Sequence, residues 1–243
     1  MRRSPLFFCA SALLLLFCFA SPASALHVYC GAGMAKAFGE IAEAFTRETG
    51  IPVEVTYANA GQIQSQINTA QEGDLFIAGA EEELIPIKTW VLSSRGLVKH
   101  LPVLAVARGN PRHIRGLQDL KQEGIRVVLG DGKATPIGKV ADKALAEAGL
   151  AEALNVVSRG VTAPSIVNAL NVGECDAVIV WKENVSSAME IVPDPALDAH
   201  AKIVPAASLS CSGDSEGRER LLEFLGSRTA RTLWEKHGYT VLD

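Results

Sequence analysis

The sequence predicts an α/β fold, and three observations predict it. Short apolar runs alternate with segments whose apolar residues recur at helical spacing, turns rich in glycine, asparagine or proline separate the two kinds, and no internal repeat or low-complexity tract interrupts them. A turn signal at Gly109-Asn110-Pro111 marks an expected boundary between two such sets.

Leu26 to Cys30 reads as a short strand, Gly31-Ala32-Gly33 as a turn, and Met34, Phe38, Ile41 and Phe45 as the apolar face of a helix that Gly50 closes. Val53, Val55 and Tyr57 alternate with polar neighbours as a strand does, and Asn59-Ala60-Gly61 turns the chain into a helix carrying Ile63 and Ile67. Asp74 to Ala78 reads as a buried strand and Glu81 to Trp90 as a helix, so the first third predicts a mostly parallel sheet. Leu101 to Ala107 is an apolar strand before the boundary turn. Beyond it come a strand at Ile125 to Leu129, a loop at Gly130 to Pro136 and a helix at Ile137 to Ala148. Ser165 is placed as the cap of a helix bearing Ile166, Ala169 and Leu170, and Ala177 to Trp181 as a second buried strand. Pro193 and Pro195 mark a loop, Ile203 to Leu209 a strand, and Arg220 to His237 a terminal helical region.

Ahead of all this stand Arg2-Arg3, an apolar run from Leu6 to Ala20 and the small-x-small tripeptide Ala23-Ser24-Ala25. That order predicts a cleaved export signal over residues 1–25. The run is about 15 residues, short of the roughly 20 a spanning helix needs. A lipoprotein reading would use Cys18, but bulky Phe17 precedes it; Arg2-Arg3 alone is a weak twin-arginine signal. Removing the segment leaves 218 residues and moves the formal charge from -4 to -6. An acidic surface argues against nucleic acid and anionic membranes, which reward clustered Lys and Arg, but not against a small anion held by backbone N–H groups. Cys30, Cys175 and Cys211 remain, allowing one disulfide and a free thiol or three thiols. Their spacing matches no zinc pattern, and His27 beside Cys30 is too small a ligand set, so no metal site is expected.

Four loops each follow a strand and open a helix: Gly31 to Met34, Asn59 to Gln62, Thr135 to Gly138 and Ala163 to Ile166. Each would present free N–H donors at the positive end of a helix dipole, at the carboxyl side of a sheet where ligands bind. A nucleotide-dependent oxidoreductase is the rival reading, from Gly31-Ala32-Gly33 with Glu54 downstream, but Lys36 fills the third glycine position of that fingerprint. Hydrolase signs are thinner: no Gly-x-Ser-x-Gly elbow occurs, His100, His113, His200 and His237 read as solvated, and Cys30 reads as a buried thiol. Glu81-Glu82-Glu83 suits a helix start better than an acid pair. No catalytic residue is assigned.

Several stretches carry a resemblance. They are Val28-Tyr29-Cys30-Gly31-Ala32-Gly33, Phe45 to Gly50, Gly73-Asp74-Leu75-Phe76-Ile77, Leu129-Gly130-Asp131 with Thr135-Pro136-Ile137-Gly138, Gly173 to Trp181, Val204-Pro205-Ala206 and Lys236-His237-Gly238-Tyr239. In this order they resemble the molybdate-binding proteins of bacterial uptake transporters, among the periplasmic solute-binding proteins, over nearly all of residues 27–240. The resemblance implies a two-lobed periplasmic binding protein fold of type II, with an oxyanion enclosed in the cleft as the lobes close. It implies lobe one at residues 26–106 plus 204–243 and lobe two at 107–203. It further implies a molybdate or tungstate ligand, no cofactor, a monomer, and a partner permease of an ABC transporter in the inner membrane. Carried over position by position, the ligand site falls on Gly33, Ala60, Ile137, Ile166 and Trp181, with Asn59 and Gly61 beside it. The family usually has serine at the first two positions and tyrosine at the last, so Gly33, Ala60 and Trp181 leave hydroxyl donors missing unless Asn59, Gln62 or the Trp181 indole replaces them. Lys139 and Lys182 lie near in sequence as possible compensation, Cys30 could tune the site toward a thiophilic ligand, and a different small anion, an organic acid or a sensing role stays open.

Overall fold

The computed structural model describes residues 25–133 and 135–242. The expected signal segment, residues 1–25, falls outside the described residues except for its last one, and Cys9 and Cys18 fall outside with it.

Strand β1 (Leu26–Gly31) buries Leu26, Val28 and Cys30 completely. A tight turn over Ala32–Met34 leads into α1 (Ala35–Thr49), whose Phe38, Ile41 and Phe45 form one buried face. Gly50 ends it at φ 74°, a conformation glycine adopts without a Cβ penalty. Next come β2 (Val53–Ala58), α2 (Ala60–Ala70) and β3 (Leu75–Ile77). The helix expected over Glu81 to Trp90 is instead a 3-10 segment, Glu81–Ile87, followed by the long strand β4 (Val91–His100). Pro86 explains the difference, because it has no N–H to give and disfavours α geometry at Ile85 before it.

Strand β5 (Pro102–Ala107) opens a second set, with β6 (Val127–Gly130), α3 (Pro136–Glu147), β7 (Val156–Gly160), α4 (Ala163–Asn171), β8 (Ala177–Trp181) and β9 (Met189–Val192). Pro195 starts a short helix, α5 (Pro195–Asp198), capped by Asp194, where a loop was expected. The chain closes with β10 (Lys202–Leu209), α6 (Ser215–Leu225), α7 (Arg228–Lys236) and β11 (Thr240–Val241). The terminal helical region is thus two helices, parted at Gly226 and restarted by Ser227, whose hydroxyl accepts from the Ala230 N–H at 3.2 Å.

One sheet runs β11-β4-β10-β3-β1-β2 and the other β7-β6-β8-β5-β9. The first is parallel across β2, β1 and β3, but the β3–β10, β10–β4 and β4–β11 pairs are antiparallel, with β10 and β11 running against the rest, so it is mixed rather than mostly parallel. Among the described residues three buried clusters form, and none of them spans both sheets. Phe38, Phe45, Phe224 and Trp234 lead the cluster on one face of the first sheet, Tyr29, Ile63, Ile67 and Phe76 the cluster on its other face, and Leu104, Val128, Ile137 and Ile179 belong to the second sheet's cluster. Because β5 pairs with β8 and β9, the chain changes sheets at Leu101 rather than near residue 107, and it returns before Lys202 rather than at 204. An apolar strand reads the same in either sheet, and only its pairing decides. Asp176, from the Gly173 to Trp181 stretch, serves the fold rather than a ligand, accepting from the Arg126 backbone N–H at 2.8 Å and from the Arg112 and Arg126 guanidinium groups.

No helix among the described residues is long and apolar enough to cross a membrane.

Candidate functional site

Strand register brings the carboxyl ends of both sheets to the crossing. Ile77, the last residue of β3, sits opposite Ala206, while Lys202, the first of β10, sits opposite His100, the last of β4. In the second sheet Pro102, the first residue of β5, faces Trp181, the last of β8. The loops after β1, β2 and β3 and those after β6, β7 and β8 therefore all issue at the end where Leu101 joins the sheets.

The local chemistry of each loop decides which N–H groups are free. After β1, no side chain caps the Ala32–Met34 turn, and Gly33 is exposed with open space where a Cβ would stand. After β2, Asn59 and Gln62 form a reciprocal capping box: Asn59 Oδ1 accepts from the Gln62 N–H at 3.0 Å, and Gln62 Oε1 accepts from the Asn59 backbone N–H at 3.4 Å and from Asn59 Nδ2 at 2.7 Å. These two side chains hold the loop. Ala60 and Gly61 then occupy the first two helical positions, whose N–H groups precede the first helical bond, Ile63 N–H to Asn59 O.

After β6, Thr135 is the cap. Its hydroxyl donates to Asp131 O at 2.9 Å and accepts from the Gly138 N–H at 3.0 Å, and Pro136 has no N–H, which leaves Ile137 without a hydrogen-bond partner for its N–H among the described residues. After β7, the structure corrects the sequence expectation. Thr162, not Ser165, caps α4, and Ser165 completes the box from the third position. Ile166 is thus the fourth helical residue and its N–H bonds to Thr162 O at 3.3 Å, so the free N–H at this helix start belongs to Ala163 instead. The Thr162-x-x-Ser165 spacing with Pro164 between was the sequence signal for this register.

Trp181 ends β8, half-buried, its ring centroid 5.0 Å from that of His100. His100 is not solvated as its polar setting suggested: it is 8 % exposed, hydrogen-bonded through Nδ1 to Glu183 and packed against Tyr239. His200 and His237 also lie against acids, Glu147 and Glu40 respectively, while His113 is exposed. Sequence reasoning missed His100 because β4, with Ser93, Ser94 and Arg95 in its first half, lacks a strand's apolar alternation.

Electrostatically the loops offer few free cations. Lys139 is exposed on α3, and Lys182 Nζ donates to Thr240 Oγ1 at 3.1 Å, across to the first sheet. Arg159, on the unrecognised edge strand β7, donates to Gly130 O at 2.9 Å and pairs with Asp142 at 2.8 Å. Glu83 accepts from the Gly79 N–H at 2.8 Å at the end of β3; burial pushes its carboxyl above the usual range, against that hydrogen bond. Cys30 is a buried thiol, pushed well up by burial alone, which gives it no thiolate to offer a soft ligand. Cys175 and Cys211 are free thiols as well. Among the described residues no group of three or more His, Cys, Asp or Glu could hold a metal ion. Glu54 and Lys36, the markers for and against a nucleotide site, are both exposed, Glu54 on the edge strand β2.

Residues 26–240 match the family model for bacterial extracellular solute-binding proteins. The chain belongs to that family. A Haemophilus influenzae protein named as a binding protein is 30% identical over 223 residues, covering 88% of this chain and 90% of that one. The molybdate-binding protein ModA of Mycobacterium bovis is 25% identical over 173 residues, 70% of this chain and 64% of its own length. Among solved structures, the substrate-binding domain assigned to a molybdenum ABC transporter from Clostridium difficile superposes with a TM-score of 0.78 at 20% identity, covering 90% of this chain and 99% of that one. These relatives are binding proteins, and solute-binding proteins of this kind serve membrane permeases.

Proposed function

We propose that this solute-binding protein captures a small, fully ionised oxyanion, molybdate or tungstate first, and delivers it to the permease of an ABC transporter. The observation that carries the reading is the convergence of helix starts from both sheets on one crossing, each with an N–H that has no partner among the described residues: Gly33, Ala60 and Gly61 from one side, Ile137 and Ala163 from the other. A dianion held by neutral donors needs no counter-cation, because N–H dipoles aimed at its oxygens replace its hydration. A donor-only shell also rejects hydrogen phosphate, whose O–H would meet another donor. The protein works in the periplasm after removal of residues 1–25, as a monomer, without catalysis, cofactor or nucleic acid, and the lobes close over the ligand. Trp181 is the side-chain donor of the set.

Thermal unfolding of residues 26–243, stripped of ligand, tests this against molybdate, tungstate, sulfate, phosphate and a dicarboxylate. Ligand at ~100 times its Kd adds about 2.7 kcal/mol, which raises the midpoint by roughly 5 to 10 °C at this size. A shift with molybdate and tungstate alone supports the reading; an equal shift with phosphate ends it.

The absent hydroxyls at Gly33 and Ala60 favour a second reading, a different small anion or an organic acid, and one variant separates the two. Gly33→Ser keeps the N–H and places its Cβ in open space. If the ligand is molybdate, the added hydroxyl is expected to tighten binding up to about tenfold, near 1.4 kcal/mol. Calorimetry showing weaker binding would mean that the space at Gly33 is filled by a bulkier ligand.

A further inference from the structure

Resting on the reading of Trp181 as a ligand donor, the geometry points to His100 as the positioning residue of the site. His100 ends β4 of the first sheet, Trp181 ends β8 of the second, and Leu101 between the sheets accepts from the Lys182 N–H at 2.8 Å. The two rings meet across this crossing at 5.0 Å between centroids and 31° between planes. The contact continues into the first lobe: His100 lies 5.5 Å from Tyr239, and Tyr239 sits edge-on to buried Trp234 at 4.9 Å. Four rings thus run from the core of one lobe to the ligand residue of the other.

Glu183, two residues past Trp181, fixes the imidazole by a hydrogen bond between its carboxylate and His100 Nδ1. Its side chain is only 5 % exposed, and its second oxygen, Glu183 Oε2, has no hydrogen-bond partner among the described residues; the neighbouring Asn184 Oδ1 is buried and unpartnered too. A carboxylate buried with one partner is costly, and local packing alone would be served as well by an apolar pair. What the pair supplies is orientation: a planar ring held in one plane against the indole. The Trp181 N–H itself has no partner among the described residues, so it is free to donate once its rotamer is set. His100 therefore positions the donor that stands in for a hydroxyl, and it does so from the opposite lobe, which ties ligand capture to the crossing.

The experiment titrates tungstate into the mature protein and its His100→Ala, His100→Gln and Trp181→Phe variants, by calorimetry and by tryptophan fluorescence. Subtracting the Trp181→Phe spectrum isolates the Trp181 emission. The expected result is at least a tenfold loss of affinity in His100→Ala, a shifted Trp181 emission without ligand, and partial recovery of both in His100→Gln, whose amide can still donate to Glu183. A structural role alone would lower the unfolding midpoint of His100→Ala and leave Kd and emission unchanged, which overturns the proposal. Should His100→Ala fail to fold, Glu183→Gln, which keeps size and removes the charge, must reproduce the affinity loss or the proposal falls. If the wild type binds neither tungstate nor molybdate, the oxyanion reading fails first, and this failure differs from one in which the wild type binds and the variants match it.

Discussion

Gly138→Ala is expected to lower stability by about 3 kcal/mol and to abolish any anion-induced shift in the melting midpoint. At Gly138 a Cβ would stand 2.4 Å from Asp131 O and 2.6 Å from the Gly130 carbonyl carbon, distances that no rotamer relieves because the obstacles are backbone. The glycine here is required by packing: the first turn of α3 lies directly on the end of β6, backbone against backbone. Gly130 shows the same closeness from the other side, with Gly138 N 2.8 Å from its would-be Cβ. Pushing the two apart breaks the Thr135 hydroxyl's bonds to Asp131 O and to the Gly138 N–H, and with them the orientation of the Ile137 N–H. Overpacking of this kind costs 1 to 3 kcal/mol, and loss of the buried Thr135 cap adds about one more, so a midpoint drop of roughly 6 to 12 °C is expected. Gly33→Ala, whose Cβ meets nothing within 4 Å, serves as the control with an unchanged midpoint. A Gly138→Ala protein melting within a degree of wild type would mean that this loop is free to shift.

Ala60→Pro is expected to weaken anion binding 10- to 100-fold, about 1.5 to 3 kcal/mol, while leaving the fold intact. Position 60 is the first residue of α2, where proline is at home because the N–H it lacks is not part of the helical ladder. Asn59 before it already has φ -75° and ψ 158°, the extended geometry a residue preceding proline prefers. The substitution therefore deletes one N–H and little else. Circular dichroism and the melting midpoint of the free protein should stay close to wild type while calorimetry with molybdate records the loss. Unchanged affinity would remove Ala60 from the site and move attention to Gly61.

Much of the fold was legible in the chain. The helix over Phe38, Ile41 and Phe45, its glycine stop at Gly50, the strands from Leu26, Val53 and Ala177, and the turn at Asn59 all follow from spacing and local turn chemistry. Strands β4, β7 and β9 were not legible, because antiparallel or edge strands with residues such as Ser93, Arg159 and Glu190 on wet faces carry no apolar rhythm. At the site, the chain showed which loops open helices, and the spacing of Thr162 and Ser165 held the cap register, although it was assigned one turn too late.

What the sequence determined by itself, then, was a set of local commitments: where helices start and stop, which loops carry unbonded N–H groups, and that no cationic side chain accompanies them in the motifs. These depend on residues a few positions apart. Which sheet β5 joins, that His100 is buried against Trp181 and Glu183, and that Lys182 is spent on Thr240 were decided only by tertiary structure. Each joins residues 58 or more positions apart, and a pairing over that distance is selected by the packing of whole lobes rather than by any local pattern.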